Sequence, residues 1–337
     1  MKILIFKSGA IGDVLMTTPF LRALRKKHPK ANIIYCVGQY SAIALRNNPR
    51  INKIITFDEA IVFKKSVLGL LRLRNSIKKE RFDVAFNLDR SGLSNLFLAS
   101  CLIPVRIGFS RDLNGLGLTK STKPIPGNHH IREYLRLLDP MKVKKTDMEL
   151  VLQRKDEEYA VKFLKKHNVK NPIGISILGA QNPGQKMPSR RWPLRHYLKL
   201  IELLQRKKVP IILFGSPAEK SHLYKIGASI PVSCADVHKN VCLMKRCRLF
   251  ITHDSGAMHL ASIAGVPIIS LFGPTNPNEK APIKFRSLAF WAKEKYRPEI
   301  EAKKPKAFYD PEFMARITPE QIMKKSMEVY HAHRHAQ

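Results

Sequence analysis

A carboxylate, Asp13, closes a short glycine-bearing loop near the start of the chain, Ser8-Gly9-Ala10-Ile11-Gly12-Asp13. The apolar run before the loop predicts a strand, and the amphipathic run over residues 14–25 predicts a helix. Ligands of open α/β sheets bind at the carboxyl ends of strands, where such a loop lies. The loop lacks the G-x-G-x-x-G spacing of a dinucleotide site, and an acid at this place repels phosphate. Asp13 can instead accept a proton from a hydroxyl. An equal alternative is that its charge only complements the helix dipole.

A second group, His253-Asp254-Ser255-Gly256-Ala257-Met258-His259, also follows a predicted strand. Asp254 and Ser255 can cap the helix that comes next, and Gly256 lets a ligand approach the free amides at its start. His259 falls on the first turn, where its ring can donate to a phosphate oxygen. The pattern predicts a diphosphate site, and an ordinary helix cap with an internally bonded histidine is the alternative. A serine hydrolase is disfavoured because the G-x-S-x-G elbow is absent.

Two more groups follow predicted strands. Thr275, in Phe272-Gly273-Pro274-Thr275, can donate to a phosphate or a sugar hydroxyl, and a simple turn competes with that interpretation. The stretch over residues 186–193 carries Lys186, Arg190, Arg191 and Trp192. Its cations can balance the charge on a leaving diphosphate, and a solvated basic loop is the alternative.

Alternating strands and helices position these four groups. The predicted strands are residues 2–6, 33–37, 54–57 and 84–88 in one half, and 173–178, 211–214, 249–252 and 266–271 in the other. Such alternation predicts two α/β halves with parallel sheets, joined by a helix over residues 154–171. One half offers a carboxylate and the other offers anion-binding groups. The combination suits a nucleotide-sugar donor and a hydroxyl acceptor.

The composition narrows the class of partner. Sixty Lys and Arg face 26 Asp and Glu in 337 residues, giving a net charge of +34. This surface favours polyanions such as nucleic acid, an anionic membrane or a phosphorylated substrate, although a general preference for lysine is the alternative. No nucleic acid is expected, because basic patches interleaved with aromatic residues are absent.

The chain carries few signs of export or of covalent crosslinks. It begins without a secretory signal and has no run of the roughly 20 apolar residues that span a bilayer. Five cysteines without paired spacing predict neither disulfides nor a zinc site. We expect a cytoplasmic protein, peripheral on the inner face of the inner membrane if it attaches to a membrane.

These motifs together resemble the heptosyltransferases of lipopolysaccharide assembly, glycosyltransferase family nine. The opening K-I-L-I-F-K-S-G-A-I-G-D-V-L is similar to the family's N-terminus, and D-S-G-A-M-H with the later G-P-T is similar to its C-terminal signature. R-W-P at 191–193 and F-G-S-P-A-E at 214–219 fit as well. The resemblance covers nearly the whole chain, with the motifs in the family's order.

The resemblance implies an α/β fold of two Rossmann-like domains facing across a cleft, the GT-B type. Residues 1–160 would bind the acceptor, residues 161–317 would bind the nucleotide sugar, and residues 318–337 would form a helix and tail packing back on the N-terminal domain. The implied reaction is inverting transfer of heptose from ADP-heptose, without a metal ion or cofactor, to Kdo-lipid A or heptosyl-Kdo-lipid A. The implied partners are therefore a nucleotide sugar, an acidic glycolipid and the anionic membrane that carries it.

The resemblance also assigns roles to individual residues. Asp13 matches the family's general base, with Ser8, Gly9 and Gly12 in the acceptor loop. The donor residues are Glu219 near the ribose, and Asp254, Ser255, Gly256, His259 and Thr275 near the sugar and diphosphate. The family has a lysine where this chain has Arg190, so either Arg190 or Lys186 would contact the diphosphate. A related transferase using another nucleotide sugar, and a non-enzymatic polyanion-binding protein, remain the alternatives.

An amphipathic stretch in the first half could meet the membrane. Its apolar residues have helical spacing and its cations surround them: Phe63, Val67, Leu70, Leu71 and Ile77, with Lys64, Lys65, Arg72, Lys78 and Lys79. Such a helix can rest at a bilayer interface. A helix that covers the sheet is the alternative.

Overall fold

The computed structural model describes residues 1–63, 66–110, 115–138, 145–179, 181–182, 185–186, 188–226, 230–292 and 312–332. The chain forms two compact units, Met1–Val151 with Asn182–Gly184, and Leu152–Gln181 with Gln185–Gln337. They are called the first and second domains below. The second domain begins before helix α7, Arg154–His167. The boundary predicted at residue 160 would cut through that helix.

The first domain is built on a six-stranded parallel sheet of order β3-β2-β1-β4-β5-β6. Its strands are β1 Lys2–Lys7, β2 Asn32–Gly38, β3 Lys53–Phe57, β4 Val84–Asn87, β5 Val105–Phe109 and β6 Lys120–Thr122. Its helices are α1 Ile11–Leu15, α2 Thr18–Lys27, α3 Ala60–Phe63, α4 Val67–Lys79, α5 Gly92–Ser100 and α6 His130–Arg136, with a 3-10 turn at Ala42–Leu45. The strand order reverses between β1 and β4, which is where ligands bind in such sheets.

Strand β1 lies at the centre of this sheet because both of its faces are apolar. Its residues from Ile3 to Phe6 are all buried, as expected for a parallel strand covered by helices on both sides. Ile5 lies opposite Tyr35 on β2 and Phe86 on β4. The central strand fixes where the loop after Lys7 emerges.

The second domain repeats the design with a sheet of order β11-β10-β7-β12-β13-β14. Its strands are β7 Ile173–Ser176, β10 Ile211–Phe214, β11 Val232–Ser233, β12 Leu249–His253, β13 Ile268–Phe272 and β14 Ala289–Trp291, and the loop after β7 contains β8 Gln181–Asn182 and β9 Gln185–Lys186. Its helices are α7 Arg154–His167, α8 Leu194–Arg206, α9 Lys220–Ile226, α10 Val237–Met244, α11 Gly256–Ala264, α12 Pro277–Lys280 and α13 Pro319–Ala332. Short 3-10 segments occur at Pro188–Arg190, Pro217–Glu219, Ile283–Leu288 and Phe313–Arg316. The order reverses between β7 and β12.

The prediction of two Rossmann-like α/β halves is confirmed, and all eight predicted strands are present. The strands that the sequence did not indicate include β6, β11 and β14, which are two or three residues long and lie at sheet edges. Segments this short show too little hydrophobic periodicity to be predicted as strands. The single helix expected over residues 14–25 is instead two helices, and Pro19 lies in the first turn of the second.

The C-terminal helix α13 begins as the sequence indicates. The Thr318 hydroxyl accepts the Gln321 amide, and the Gln321 side chain accepts the Thr318 amide, so the helix start is capped reciprocally. The helix belongs to the second domain, and the prediction that it packs back on the N-terminal domain stays a prediction. The helix contacts α8 and β12, and buries Ile322 and Tyr330 in the core of the second domain. Its apolar side therefore meets the neighbouring helix of its own domain.

Two further findings concern the cysteines and the length of the apolar helices. All five cysteines are free thiols. In the part of the chain that the structure describes, no helix is both long and apolar enough to cross a bilayer.

Candidate functional site

The first candidate site is the loop after β1. Asp13 lies half-buried in the first turn of α1, and its Oδ2 accepts the Ala10 amide at 3.3 Å. Gly9 has a φ of +150°, and a Cβ at this position would come within 2.8 Å of Ser41 Oγ. Only glycine therefore fits here without displacing a neighbour. The loop holds one carboxylate in a fixed place at the carboxyl end of the central strand.

A buried ion pair that the sequence did not reveal supports this loop. Lys7 Nζ lies 2.7 Å from Asp89 Oδ1, with both side chains about one-tenth exposed. The other oxygen of Asp89 accepts the Ser8 amide at 3.1 Å. Burial by itself lowers the pKa of Lys7, but Asp89, assisted by Tyr134 and Asp13, outweighs it and raises that pKa above its usual range. Lys7 therefore stays cationic and ties the loop to the end of β4.

Arg90 and Tyr134 lie in the same neighbourhood as Asp13. Burial raises the pKa of Tyr134, and the charge of Asp13 raises it further, whereas Lys7 and Arg90 oppose the shift. These interactions indicate that the charges of Asp13, Lys7 and Arg90 lie near the Tyr134 phenol. The sequence did contain a signal, because Asp89 and Arg90 come directly after the strand predicted over residues 84–88. The strand order that places them beside β1 could not be predicted from the sequence.

In the second domain, the structure joins three predicted site residues directly. Arg190 Nε and Nη2 lie 3.1 and 2.6 Å from Asp254 Oδ2. Thr275 Oγ1 donates to the same oxygen at 2.7 Å. Asp254 is 1% exposed, so Arg190 balances a carboxylate that would otherwise be buried without a counter-charge. Arg190 and Thr275, which the sequence predicts to contact the diphosphate or the sugar, both hold Asp254 in place.

The Asp254 carboxylate remains ionised in this position. Burial alone would raise the pKa of Asp254, but Arg190 and Lys280, with the hydrogen bonds from Thr275 and Arg190, hold it well below its usual range. Asp254 Oδ1 is buried and finds no hydrogen-bond partner among the described residues. A fixed carboxylate oxygen with unused acceptor capacity is suited to bind a hydroxyl.

The start of helix α11 differs from the predicted cap. Neither Asp254 nor Ser255 donates or accepts a cap bond there: the N-cap residue Ser255 has extended backbone and makes no side-chain cap hydrogen bond. Asp254 is held by Arg190, and the Ser255 hydroxyl lies 3.3 Å from Thr252 Oγ1. A Cβ on Gly179 would lie 3.4 Å from that of Ser255, so the loop after β7 passes close by. A helix start without a side-chain cap keeps its first amides for an anion.

Two histidines flank this helix start. His253 Nδ1 lies 2.9 Å from the Tyr197 hydroxyl, and His253 Nε2 is buried without a hydrogen-bond partner in the described part of the chain. Burial, with the charge of Arg191 close by, lowers the pKa of His253 to about 3, so its ring is neutral at physiological pH. His259 is buried on the first turn of α11, as the sequence placed it.

The remaining predicted donor residues lie around the ends of β7 and β10. Glu219 is half-buried and accepts from the Ser216 amide and hydroxyl at 2.8 and 2.9 Å. Arg191 Nε donates to Gly179 O at 2.8 Å. Burial lowers the pKa of the Arg191 guanidinium, and the charge of Glu219 partly opposes that shift. Lys186 belongs to β9, but its side chain lies outside the described residues. Arg191 belongs to the basic stretch that the sequence analysis singled out, whereas Lys280 is a cation near Asp254 that it did not assign.

The parallel sheet explains why these groups converge. β10, β7, β12 and β13 are neighbours, and their carboxyl ends form one edge of the second sheet. Glu219 follows β10, Arg191 follows β7, Asp254 follows β12 and Thr275 follows β13. Within the described residues, no group of three or more His, Cys, Asp or Glu could hold a metal ion.

Comparison with known proteins agrees with this arrangement. The sequence profile of glycosyltransferase family 9 (heptosyltransferase) matches residues 70–309. Lipopolysaccharide heptosyltransferase 2 of Escherichia coli K12 is 24% identical over 305 residues, which cover 85% of this chain and 87% of the relative.

Solved structures share the fold over almost the whole chain. A family 9 glycosyltransferase from Veillonella parvula superposes with a TM-score of 0.75 at 24% identity, covering 98% of this chain and 97% of that one. ADP-heptose lipopolysaccharide heptosyltransferase II of E. coli superposes with a TM-score of 0.73 at 20% identity, covering 99% and 100%. The chain therefore belongs to glycosyltransferase family 9, the heptosyltransferases, and is a glycosyltransferase.

Proposed function

We propose that this enzyme transfers a heptose from ADP-heptose to the inner core of lipopolysaccharide, with inversion at the anomeric carbon. The observation that carries the proposal is the chemistry of the two sheet edges. The first domain presents a half-buried carboxylate, Asp13, where its strand order reverses. The second presents an uncapped helix start beside a buried, ionised Asp254. The names of the relatives supply the heptose and lipopolysaccharide. The resemblance of the motifs implies Kdo-lipid A or its heptosylated form as the acceptor.

In this proposal Asp13 is the general base. Its carboxylate removes the proton of the acceptor hydroxyl as that oxygen attacks the anomeric carbon, and the bond to ADP breaks in the same step. The loop geometry supports this role, because Ala10 and the Lys7–Asp89 pair hold the carboxylate and its loop in place before the acceptor arrives. A preplaced base lowers the entropic part of the barrier.

The donor half stabilises the charge that develops on the leaving ADP. The amides at the start of α11, from Gly256 onward, meet the diphosphate. Arg191 and Lys280 supply positive charge, and Lys186 remains a further candidate for that role. Asp254 Oδ1 accepts a hydroxyl of the donor sugar, and Glu219 accepts a ribose hydroxyl. No metal ion takes part in this scheme, since amides and side-chain cations compensate the charge.

Selective stabilisation by adenine nucleotide is the first expected result. A ligand that binds only the folded state raises the unfolding free energy by about 2.7 kcal/mol at a hundredfold excess over its Kd. We expect ADP and ADP-heptose, with a chelator present, to raise the thermal midpoint, and UDP and GDP at the same concentration to leave it nearly unchanged. A selective shift by UDP or GDP would replace the donor in the proposal. No shift with any of the nucleotides would overturn it.

We further propose that the first domain meets the acceptor's membrane through the N-terminal turns of α4 and α5. Val67 and Leu68 on α4 are 68% and 69% exposed, and Leu93 on α5 is 73% exposed. Both helices cover the same face of the sheet, with Leu73 and Ile77 of α4 and Leu98 of α5 in one core cluster. Helix N-termini in a parallel α/β sheet lie at the carboxyl edge, the edge that carries Asp13.

The interpretation as a membrane-contacting helix and the interpretation as a helix that covers the sheet therefore each describe part of α4. Ile77 is buried against the sheet, whereas Val67 and Leu71 are exposed. Lys64 and Lys65 lie outside the described residues. The basic composition of the chain complements an anionic bilayer, which adds attraction to the apolar contact.

Polar substitution of these exposed leucines is expected to weaken membrane binding. The double variant Leu68→Ser and Leu71→Ser should co-sediment with phosphatidylglycerol vesicles at least about tenfold more weakly, because two apolar side chains no longer enter the interface. Its unfolding midpoint and ADP response should not change. Leu198→Ser, at a 43% exposed site on α8 of the second domain, is the matched control. Equal binding by the double variant and the wild type would rule out this surface.

A further inference from the structure

A buried amide, Asn240, joins the two loops that follow strands β10 and β11 of the second domain. Asn240 lies on helix α10 and is 5% exposed. Its Nδ2 donates to the carbonyl oxygens of Gly215 and Ala235, each at 3.1 Å. Its Oδ1 accepts the Ser233 hydroxyl at 2.7 Å. Both amide hydrogens and the amide oxygen are therefore used inside the domain, and one side chain holds the ends of two neighbouring strands.

The partners of Asn240 fix which way its amide faces. Carbonyl oxygens can only accept hydrogen bonds, so the amide nitrogen must face Gly215 and Ala235. The Ser233 hydroxyl gives its one hydrogen to Asn240, and the Tyr159 hydroxyl, 3.0 Å from Ser233 Oγ, therefore donates to Ser233. The bonds run in one direction, from helix α7 through β11 to the two loops. Hydrogen bonds in such a chain strengthen one another.

The loop after β10 extends this support to Glu219. Ser216, the residue after Gly215, donates to Glu219 Oε2 from its amide at 2.8 Å and from its hydroxyl at 2.9 Å. A Cβ on Gly215 would lie 3.3 Å from the same oxygen, so the backbone and the carboxylate are in close contact. Asn240 is thus linked to the Glu219 carboxylate through two consecutive residues of one loop.

We propose that Asn240 is a positioning residue for the nucleoside half of the donor, because it holds the loop that places Glu219 against a ribose hydroxyl. The inference rests on the proposed function, in which Glu219 accepts that hydroxyl. It does not depend on the base, since adenosine, uridine and guanosine nucleotides all carry the ribose. Without Asn240, the Gly215 and Ala235 carbonyls lose their donors, and the loop after β10 turns toward water to satisfy them.

The affinities of deoxynucleotides test the inference. Wild type should bind either the 2′-deoxy or the 3′-deoxy form of ADP, whichever lacks the hydroxyl that Glu219 accepts, at least about tenfold more weakly than ADP. This is the effect of one hydrogen bond to a charged group. Asn240→Ala should bind ADP about tenfold more weakly but that deoxynucleotide almost as wild type does, so that the ratio of the two affinities approaches one. In transfer kinetics the KM for the donor should rise, with kcat nearly unchanged.

Two further variants separate positioning from a general loss of stability. Asn95→Ala is the matched control, because Asn95 is a buried amide of the first domain whose Nδ2 donates to Phe109 O at 3.2 Å. It should unfold more easily than wild type but keep the wild-type ratio. Ser233→Ala removes the hydroxyl that orients the Asn240 amide and should lower the ratio to a smaller extent, so it serves as the test if Asn240→Ala does not fold. A wild-type ratio in the folded variant of either residue of this network would overturn the inference.

Glu219→Ala distinguishes a failure of this inference from a failure of the proposed function. If Glu219→Ala loses the ratio whereas Asn240→Ala keeps it, Glu219 contacts the ribose and Asn240 does not position it. If Glu219→Ala keeps the ratio, or if wild type binds ADP and both deoxynucleotides equally, the ribose contact itself is wrong and the inference falls with it. If UDP or GDP proves to be the ligand, the same comparison with its deoxy forms decides the matter.

Discussion

Replacing Asp13 by Asn should lower kcat for sugar transfer by about 10²–10⁴-fold, the range that a positioned general base contributes. The substitution preserves shape and keeps an oxygen that can accept the Ala10 amide, so α1 should still begin where it does. The amide cannot take the acceptor's proton at neutral pH. ADP binding should not change, because the proposed donor residues belong to the second domain.

Transfer kinetics and ADP affinity must therefore be measured on the same preparation. Asp147→Asn, at an exposed carboxylate of the same domain, is the control for a loss of one negative charge. It should retain normal turnover. If Asp13→Asn keeps near-normal kcat, Asp13 is not the base. If it loses ADP affinity along with turnover, the effect is on the folded enzyme rather than on proton transfer.

Breaking the Arg190–Asp254 pair should have the largest effect on stability. Arg190→Met removes the charge but retains much of the packing volume, and it leaves Asp254 ionised and 1% exposed. Removing one partner of a buried pair costs about 3–5 kcal/mol. The free energy of unfolding, measured by denaturant titration of the unliganded protein, should fall by about that amount, and donor affinity should fall with it because Asp254 shifts.

The same variant distinguishes the pairing of Arg190 with Asp254 from the diphosphate contact that the sequence predicted for Arg190 or Lys186. If its main role were to contact the diphosphate, the unliganded protein would be nearly as stable as wild type and only ADP affinity would fall. The matched control is Arg195→Met, since Arg195 pairs with Glu312 at an exposed site, with side chains 60% and 50% exposed. Such pairs contribute little, so this variant should unfold almost as wild type does.

The stability difference should also depend on pH in a defined direction. The pKa of Asp254 in the folded protein lies below its ordinary value of about 3.9, so the pair's contribution is complete above that pH and is lost as the pH falls through the lower folded pKa. In Arg190→Met, burial without the arginine raises the pKa of Asp254, and the carboxyl can protonate and lose its charge. The difference in unfolding free energy between wild type and variant should therefore decrease as the pH falls below about 4.

The sequence determined the features that depend on neighbouring residues. Alternating apolar runs and amphipathic segments located all eight predicted strands. Gly9, after β1, marked a loop position that only glycine fits. The cap at Thr318 was readable because a helix start depends on the few residues around it. Since ligands bind at strand ends in parallel sheets, the strand positions were enough to select Asp13, Asp254 and Thr275 as candidate site residues.

Only the tertiary structure decided which side chains pair with one another. Arg190 and Asp254 are separated by 64 residues, and Lys7 and Asp89 by 82. Their pairing follows from strand order, which hydrophobic periodicity does not encode. Burial then makes these ion pairs costly to break, because an unpaired charge costs far more free energy in the interior than at the surface. For the same reason Arg190, which the motif assigned to the diphosphate, also pairs with Asp254.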